Sequence, residues 1–129
     1  MNKVLLIGCG HMGSALLDAW INLKSYSFTV VDPFNIKFLK KKYRKYNLDI
    51  LSEGPSQIAI KKFDIIIFAI KPQVCQKVIV KYINYNFKNN SLICSIVAGK
   101  KINFFKKNLI KSKQIVRVMP NMPALIGRG

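Results

Sequence analysis

The stretch "VLLIGCGHMGSALLDAW", from Val4 to Trp20, contains three glycines between a short apolar run and a segment with helical periodicity. The apolar run Val4–Ile7 is typical of a buried strand. Gly8, Gly10 and Gly13 follow it with the spacing G-x-G-x-x-G. A turn of this kind between a strand and a helix points backbone N–H groups at an anion. The stretch therefore predicts a strand, a phosphate-binding turn and a helix, in that order.

Each glycine of this turn has its own expected task. Gly8 permits the tight turn, Gly10 lets the backbone approach a pyrophosphate, and Gly13 allows close packing of helix on strand. Asp32 follows Gly13 by 19 residues and ends the next apolar segment, where a carboxylate would accept hydrogen bonds from the hydroxyls of an adenosine ribose. Asp32 is also compatible with the N-cap of a helix that begins near Pro33. The spacing predicts dinucleotide binding, and a glycine-rich turn without a ligand is the alternative.

The loop also carries Cys9, His11 and Met12. His11 is the only histidine of the chain, but the positive end of a helix disfavours its cationic form. We therefore expect His11 to lie beside the cofactor phosphates or in solvent, and we expect Cys9 and Met12 to pack the loop. The pattern assigns no catalytic residue in this chain.

Apolar segments rich in β-branched residues alternate with stretches of helical length along the whole chain. The predicted strands are Val4–Ile7, Phe28–Val31, Leu48–Leu51 as the weakest, Asp64–Ile70, Leu92–Val97 and Ile115–Met119. Helices are predicted from about Gly13, and over Asn35–Tyr46, Pro55–Lys61, Val74–Asn84 and Asn103–Lys111. This alternation predicts the α/β class: one domain over residues 1–129, with a Rossmann-type, doubly wound, mainly parallel sheet and helices on both faces.

Helical periodicity also predicts which faces pack on the sheet. The predicted core face of the first helix comprises Ala15, Leu16, Ala19, Trp20 and Leu23. The second helix is strongly basic and leaves Phe38, Leu39 and Tyr43 to face the sheet. A solvated face is the default explanation for its lysines.

The bulk composition bounds the function. The chain has 129 residues, is 50% hydrophobic and carries a formal net charge of +17, which raises the question of nucleic-acid binding. We do not expect nucleic acid as a partner, because the lysines occur together with abundant Asn, Ile, Tyr and Phe, as a compositionally biased genome would produce. A basic surface equally attracts anionic cofactors. The 3 cysteines have no Cys-x-x-Cys spacing, so neither a disulfide framework nor a metal site is predicted.

The location of the protein is predicted from its apolar runs. The longest strongly apolar stretch, Ile65–Ile70, is far shorter than the ~18 residues of a membrane span. The start "MNKVLLIGCG" imitates a secretory signal, but its apolar region is too short. We expect a cytoplasmic protein that does not contact a membrane.

Three further motifs lie at the carboxyl ends of predicted strands, where an open α/β sheet binds ligands. They are "FAIKPQ" at Phe68–Gln73, "SIVAGK" at Ser95–Lys100 and "RVMPNMPALIGRG" at Arg117–Gly129. With the glycine-rich loop, they make the chain resemble the pyrroline-5-carboxylate reductase family over nearly its whole length. The last motif is the most specific of the four.

The resemblance implies a function and a set of site residues. The family transfers a hydride from NADPH or NADH to 1-pyrroline-5-carboxylate and so completes proline biosynthesis. The loop and the resemblance together predict as cofactor-binding Gly8, Cys9, Gly10, His11, Met12, Gly13, Asp32, Pro33, Ala69, Ile70, Lys71, Pro72, Ala98 and Gly99. Met119, Pro120 and Asn121 are predicted to lie near the substrate. By analogy the strand order is 3-2-1-4-5-6.

Each of these later motifs also has a plainer interpretation. Pro72 is a suitable first residue of a helix, Lys71 is one more surface lysine, and "MPNMP" is compatible with an ordinary turn. Among enzymes, NADP-linked deazaflavin reductases and 3-hydroxyacid dehydrogenases share the opening loop. A dinucleotide-binding module without catalysis is the alternative from a different class.

The sequence departs from the family in two respects. Family members often carry Ser, Thr, Asn or Arg near the position of Asp32, which suits the 2′-phosphate of NADPH, whereas a carboxylate favours NADH. The family also continues into a helical domain that dimerises and supplies most substrate contacts, while this sequence ends at Gly129. We expect that domain to be absent from this chain, weak turnover by the 129 residues alone, and a homo-oligomer only at full length.

Overall fold

Six parallel strands form a single sheet. In the computed structural model, which describes residues 1–112 and 114–119, they are β1 (Asn2–Ile7), β2 (Tyr26–Val31), β3 (Asp49–Leu51), β4 (Ile65–Phe68), β5 (Leu92–Ser95) and β6 (Gln114–Arg117). Their order is β3-β2-β1-β4-β5-β6, and every pairing is parallel. The order reverses between β1 and β4, which is the topological switch point of a doubly wound sheet. The predicted fold class is confirmed.

The helices occupy the connections between strands. They are α1 (His11–Trp20), α2 (Ile36–Lys42), α3 (Pro72–Ile79) and α4 (Ile102–Asn108), with two short 3-10 segments at Ala59–Lys62 and Val80–Tyr82. The last three helices end earlier than the hydrophobic pattern predicts, α2 by four residues, α3 by five and α4 by three. The helix predicted over Pro55–Lys61 is wrong: that connection contains only a 3-10 turn, which begins where the Ser56 hydroxyl accepts a hydrogen bond from the Ala59 N–H at 3.1 Å.

Two hydrophobic cores lie on the opposite faces of the sheet. Successive residues of a strand point to opposite faces. Accordingly, Leu5 and Ile7 of β1 belong to one core, which includes buried residues of α3 and α4, and Val4 and Leu6 belong to the other, which includes buried residues of α1 and α2. The central strands are therefore apolar on both sides, as strands of a buried parallel sheet must be.

The predicted core faces of α1 and α2 are confirmed only in part, with Ala15 and Tyr43 buried as predicted. Leu17 is the fully buried leucine of α1, while Ala19 and Leu23 are exposed. The reason is that Gly13 packs against the turn after β1, and Leu17 lies one helical turn after it on the same face. In α2, Leu39 is buried as predicted and Phe38 is 62% exposed.

Across the two described ranges, no helix combines the length and the apolar character that crossing a membrane requires.

Candidate functional site

The carboxyl edge of the sheet carries a cavity at the switch point between β1 and β4. Its volume is about 440 Å³, and the loops that follow β1, β2, β3 and β4 all contribute to its walls. Eight residues predicted from the sequence line it: Gly8, Cys9, Gly10, Asp32, Pro33, Ala69, Ile70 and Lys71. The topology therefore brings the glycine-rich loop, the acidic end of β2 and the end of β4 together in one place.

Gly8 makes the turn that ends β1. Its φ is +91°, and a Cβ at this position would lie 2.6 Å from the carbonyl oxygen of Ala69. The Gly8 N–H donates to the Val31 carbonyl at 2.8 Å, and the Ala69 N–H donates to the Ile7 carbonyl at 2.7 Å. A side chain at position 8 would be excluded both by the backbone angle and by the neighbouring backbone.

Gly10 is the N-cap of α1, and it differs from the other two glycines of the loop. A Cβ at Gly13 would lie 2.8 Å from the Gly8 carbonyl oxygen, so Gly13 is required by the packing of α1 on the loop. A Cβ at Gly10 would meet no described atom within 4 Å. No side chain of the described residues caps α1, and its first turn contains no acidic residue. Since the first amides of a helix lack intrahelical acceptors, this N-terminus is suited to an anion.

Asp32 is the buried charged side chain among the residues described, with 5% of its surface exposed. Its Oδ2 accepts hydrogen bonds from the Cys9 N–H at 2.9 Å and from the Asn35 Nδ2 at 2.9 Å. Its Oδ1 accepts from the N–H groups of Phe34 at 3.0 Å and of Asn35 at 3.1 Å. The carboxylate thus closes the turn that leads into α2, and it also holds the glycine-rich loop. The N-cap of α2 is Asn35, so the N-cap alternative for Asp32 is wrong.

Cys9 lies inside the loop as a packing residue. It is buried, and burial together with the nearby charge of Asp32 raises the pKa of its thiol to about 12. Because the thiolate is the reactive form, this thiol is chemically inert near neutral pH.

The other predicted residues take different positions. His11 is exposed in the first turn of α1, beside Met12. Lys71 is the N-cap of α3 and Pro72 is its first residue, so Pro72 begins a helix whether or not it also lines a ligand. Ala98 and Gly99 are exposed in the turn after β5 and are not among the described lining residues of the cavity. Met119 follows β6 and is 58% exposed; Pro120 and Asn121 lie outside the described residues.

The cavity also contains residues that sequence reasoning did not single out. These are Ile7, Val31, Phe34, Asn35, Ser52, Glu53, Gly54, Val74, Val78, Lys81 and Tyr82. The segment Ser52–Gly54 directly follows β3, so the rule that ligands bind at the carboxyl ends of strands would have found it. No sequence signal marks Tyr82, whose buried ring packs so close to Gly54 that a Cβ there would lie 2.1 Å from its hydroxyl. Burial raises the pKa of Tyr82 above its ordinary value.

Within residues 1–112 and 114–119, no three His, Cys, Asp or Glu side chains gather as they would around a metal ion. The described site offers backbone donors, apolar walls and one buried carboxylate, that of Asp32.

A doubly wound parallel sheet with a glycine turn, an uncapped helix N-terminus and a cavity at the switch point defines the class of Rossmann-like α/β nucleotide-binding folds. The chain belongs to the family described as NADP oxidoreductase, coenzyme F420-dependent, whose family model matches residues 3–99.

Individual relatives confirm the resemblance to pyrroline-5-carboxylate reductases. The chain is 32% identical over 133 residues to that enzyme of Escherichia coli K12, covering 98% of this chain and 47% of the relative. It is 30% identical over 131 residues to that of Methanosarcina acetivorans, covering 96% and 46%. It superposes with a TM-score of 0.70, at 27% identity, on the crystal structure of Plasmodium falciparum pyrroline carboxylate reductase with NADP bound, covering 98% and 45%. The chain spans slightly less than half the length of these relatives.

Proposed function

We propose that this chain is the dinucleotide-binding domain of a pyrroline-5-carboxylate reductase. In this proposal it binds NADH or NADPH and presents the reduced nicotinamide to 1-pyrroline-5-carboxylate. A hydride then passes to the imine carbon, the ring nitrogen carries a proton taken from solvent, and L-proline and the oxidised cofactor are formed. The names of the relatives support the reaction, and the geometry of the switch point supports the cofactor.

One observation carries the proposal: the environment of Gly10. The backbone angle of this residue is not in the left-handed region, and no described atom lies within 4 Å of the place a Cβ would take. Packing among the described residues therefore does not require glycine there. A ligand that approaches the backbone closely does, and the uncapped α1 N-terminus next to it stabilises a pyrophosphate.

The proposed placement of the cofactor follows the edge of the sheet. The pyrophosphate lies over Gly8–Gly13, and the adenosine lies towards Phe34 and the Ser52–Gly54 segment. The nicotinamide ribose lies along Ala69–Pro72, and the ring lies towards the turn at Ala98 and Gly99. The reduced nicotinamide supplies the hydride. The residues of this chain bind it, orient it and keep one side of it dry.

For the choice of cofactor, we propose that NADH binds more tightly than NADPH. The negative charge of Asp32 lies at the end of β2, where the extra phosphate of NADPH would approach. The lysines of α2 act in the opposite direction, so the preference is small. The Plasmodium falciparum relative was solved with NADP bound.

We propose that a second, helical domain supplies most substrate contacts and that the full-length protein is a homo-oligomer, as the resemblance implies. Met119, Pro120 and Asn121 are then the residues of this chain nearest the substrate. The cytoplasmic location and the absence of a nucleic-acid partner stay predictions.

The proposal is tested by titrating the protein and its G10A variant with NADH and with NADPH in a calorimeter. We expect the unaltered chain to bind both, NADH more tightly. G10A should lose about ten-fold or more in affinity, the effect of losing one charge-assisted hydrogen bond, because its methyl group lies where the pyrophosphate approaches. Its free energy of unfolding should fall by less than about 1 kcal/mol. A G10A variant that binds NADH as tightly as the unaltered chain would overturn the proposed site.

A further inference from the structure

The carboxylate of Asp32 is fully engaged by its own chain. A carboxylate offers about four lone-pair sites, and four donors point at this one: the N–H groups of Cys9, Phe34 and Asn35, and the side-chain amide of Asn35. The distances lie between 2.9 and 3.1 Å, and the residue is 5% exposed. Little of its surface is left for an external donor.

These four bonds join two loops that are far apart in the sequence. Cys9 belongs to the glycine-rich loop after β1, 23 residues before Asp32, whereas Phe34 and Asn35 belong to the turn between β2 and α2. One backbone bond supports the same alignment, since the Gly8 N–H donates to the Val31 carbonyl. The carboxylate lies between the two loops and fixes their separation.

We infer that Asp32 is a positioning residue, which shapes the phosphate-binding loop from behind and does not accept hydrogen bonds from the adenosine ribose. The inference rests on the proposed function, because it concerns the same cofactor site. A ribose hydroxyl could reach the carboxylate only by displacing one of its present donors, which would leave a buried N–H without an acceptor.

The direction of the Cys9 amide supports this role. This N–H is committed to Asp32 at 2.9 Å, so it is not available to a phosphate. The amides that remain for an anion are those of the following residues, at the uncapped start of α1. Asp32 thereby selects which N–H groups of the loop face the ligand, and it does so before any ligand arrives.

The first experiment measures amide hydrogen exchange by NMR on the ligand-free protein and on D32N. In D32N one of the two carboxylate oxygens becomes an NH₂ group, so two of the four donors lose their acceptor, and the lost negative charge weakens the bonds that remain, including that of the Cys9 N–H. Exchange at Cys9 should therefore accelerate about ten-fold or more, while the fully buried Ile66 amide of β4 keeps its rate and shows that the fold is intact. Equal rates at Cys9 in the two proteins would overturn the inference.

A second variant covers the case in which D32N does not fold. N35A removes only one of the four donors and leaves the carboxylate in place, so the fold is retained. With one donor gone, the carboxylate is less firmly held, and the Cys9 amide should exchange faster than in the unaltered protein. An unchanged Cys9 rate in a folded N35A would count against the role of the Asp32 hydrogen-bond cluster.

The second experiment separates positioning from direct contact. NADH and its analogue without the 2′-hydroxyl on the adenosine ribose are titrated into the unaltered protein and D32N. We expect the two ligands to differ by less than about two-fold in each protein, and D32N to weaken both equally. A preference for NADH of about ten-fold that disappears in D32N would show a ribose contact and overturn the inference. If the unaltered protein binds neither ligand, the proposed function fails, and the exchange measurements still decide the role of Asp32.

Discussion

The two halves of the carboxyl edge of the sheet are built differently. On the β1–β2–β4 side, the loops interlock: Gly8 lies against Ala69, and Asp32 holds Cys9. On the β5–β6 side, Ala98 and Gly99 are exposed, no described atom lies within 4 Å of the place a Cβ at Gly99 would take, and Met119 is 58% exposed. On the β1–β2–β4 side the loops are packed against one another, whereas the described residues of the β5–β6 side are exposed to solvent.

This difference shows which part of a cofactor site one α/β unit supplies by itself. Binding of a pyrophosphate needs backbone donors in a fixed shape, and the interlocked loops provide that shape. Hydride transfer needs a pocket that excludes water from both sides of the ring, and the exposed turn after β5 provides at most one wall.

The largest expected loss of stability comes from adding a methyl group at Gly8, where the loops after β1 and β4 pack together. Gly8 and Gly99 both have positive φ, +91° and +74°, so alanine is strained at either position. Only at Gly8 would the methyl group also displace the Ala69 carbonyl. We expect G8A to lose about 3 kcal/mol or more of the free energy of unfolding, and G99A about 1 kcal/mol.

Urea denaturation of the two variants checks this difference directly. G99A is the matched control, because it carries the same strain in open space. Equal losses in G8A and G99A would break the comparison, since they would mean that the loops after β1 and β4 are no more tightly packed than the turn after β5.

A smaller effect, on the affinity for NADH, is expected from removing the aromatic ring of Phe34 at the edge of the cavity. Phe34 is 84% exposed and borders the cavity, whereas Phe38 is 62% exposed on α2 and is not among its lining residues. If the adenine lies in this half, stacking on Phe34 should hold it, and F34A should weaken NADH binding about five-fold or more. F38A removes a similar exposed ring and should leave the affinity unchanged. Calorimetric titration compares them, and equal affinities in both variants would place the adenine elsewhere.

The smallest effect concerns the opposite edge of the sheet, away from the cavity. Asp64 precedes β4, accepts the Lys3 N–H at 2.8 Å and pairs with Lys88. The bond from Lys88, followed by that from Lys3, lowers the pKa of Asp64 below its ordinary value. We expect D64N to lose less than about 1 kcal/mol of stability at neutral pH and to bind NADH as the unaltered chain does.

The pH dependence of that loss has a definite sign. A carboxyl group whose pKa is lower in the folded state stabilises the fold above its unfolded pKa, and this contribution is lost as the pH falls through the folded value. The difference between D64N and the unaltered chain should therefore shrink below about pH 4. Urea denaturation at several pH values measures it; a difference that grew in acid would show that the ion pair is not its source.

Short-range patterns predicted the strands and the glycine-rich turn well, because both depend on neighbouring residues. The strand order was expected from the resemblance, and the structure has it. The same patterns failed for the core face of α1, where hydropathy favours Leu16 and Ala19 but the contact of Gly13 with Gly8 turns Leu17 inwards. That contact joins a helix to a loop, and the packing of one against the other decides the helix rotation.

Only those residues of the candidate site that belong to sequence motifs could be predicted. The loop residues that line the cavity could be named from spacing, whereas the position of Tyr82 depends on how a 3-10 turn folds back over Gly54. The hydrogen-bond partners of Asp32 were likewise not predictable from the sequence. A carboxylate at the end of β2 is recognisable in the sequence, but the number of its donors is set by the geometry of two loops that only the fold brings together.

The position of β6 at the edge of the sheet has a consequence for the behaviour of the protein in solution. An edge strand presents unpaired backbone groups that can template pairing with a second molecule, and here Val116 and Val118 stand exposed on and beside it. A net charge of +17 keeps two molecules apart through their mutual repulsion. Salt screens that repulsion over about 10 Å at 0.1 M. Concentrated salt should therefore promote aggregation of this chain through β6, and dilute buffers should keep it dispersed.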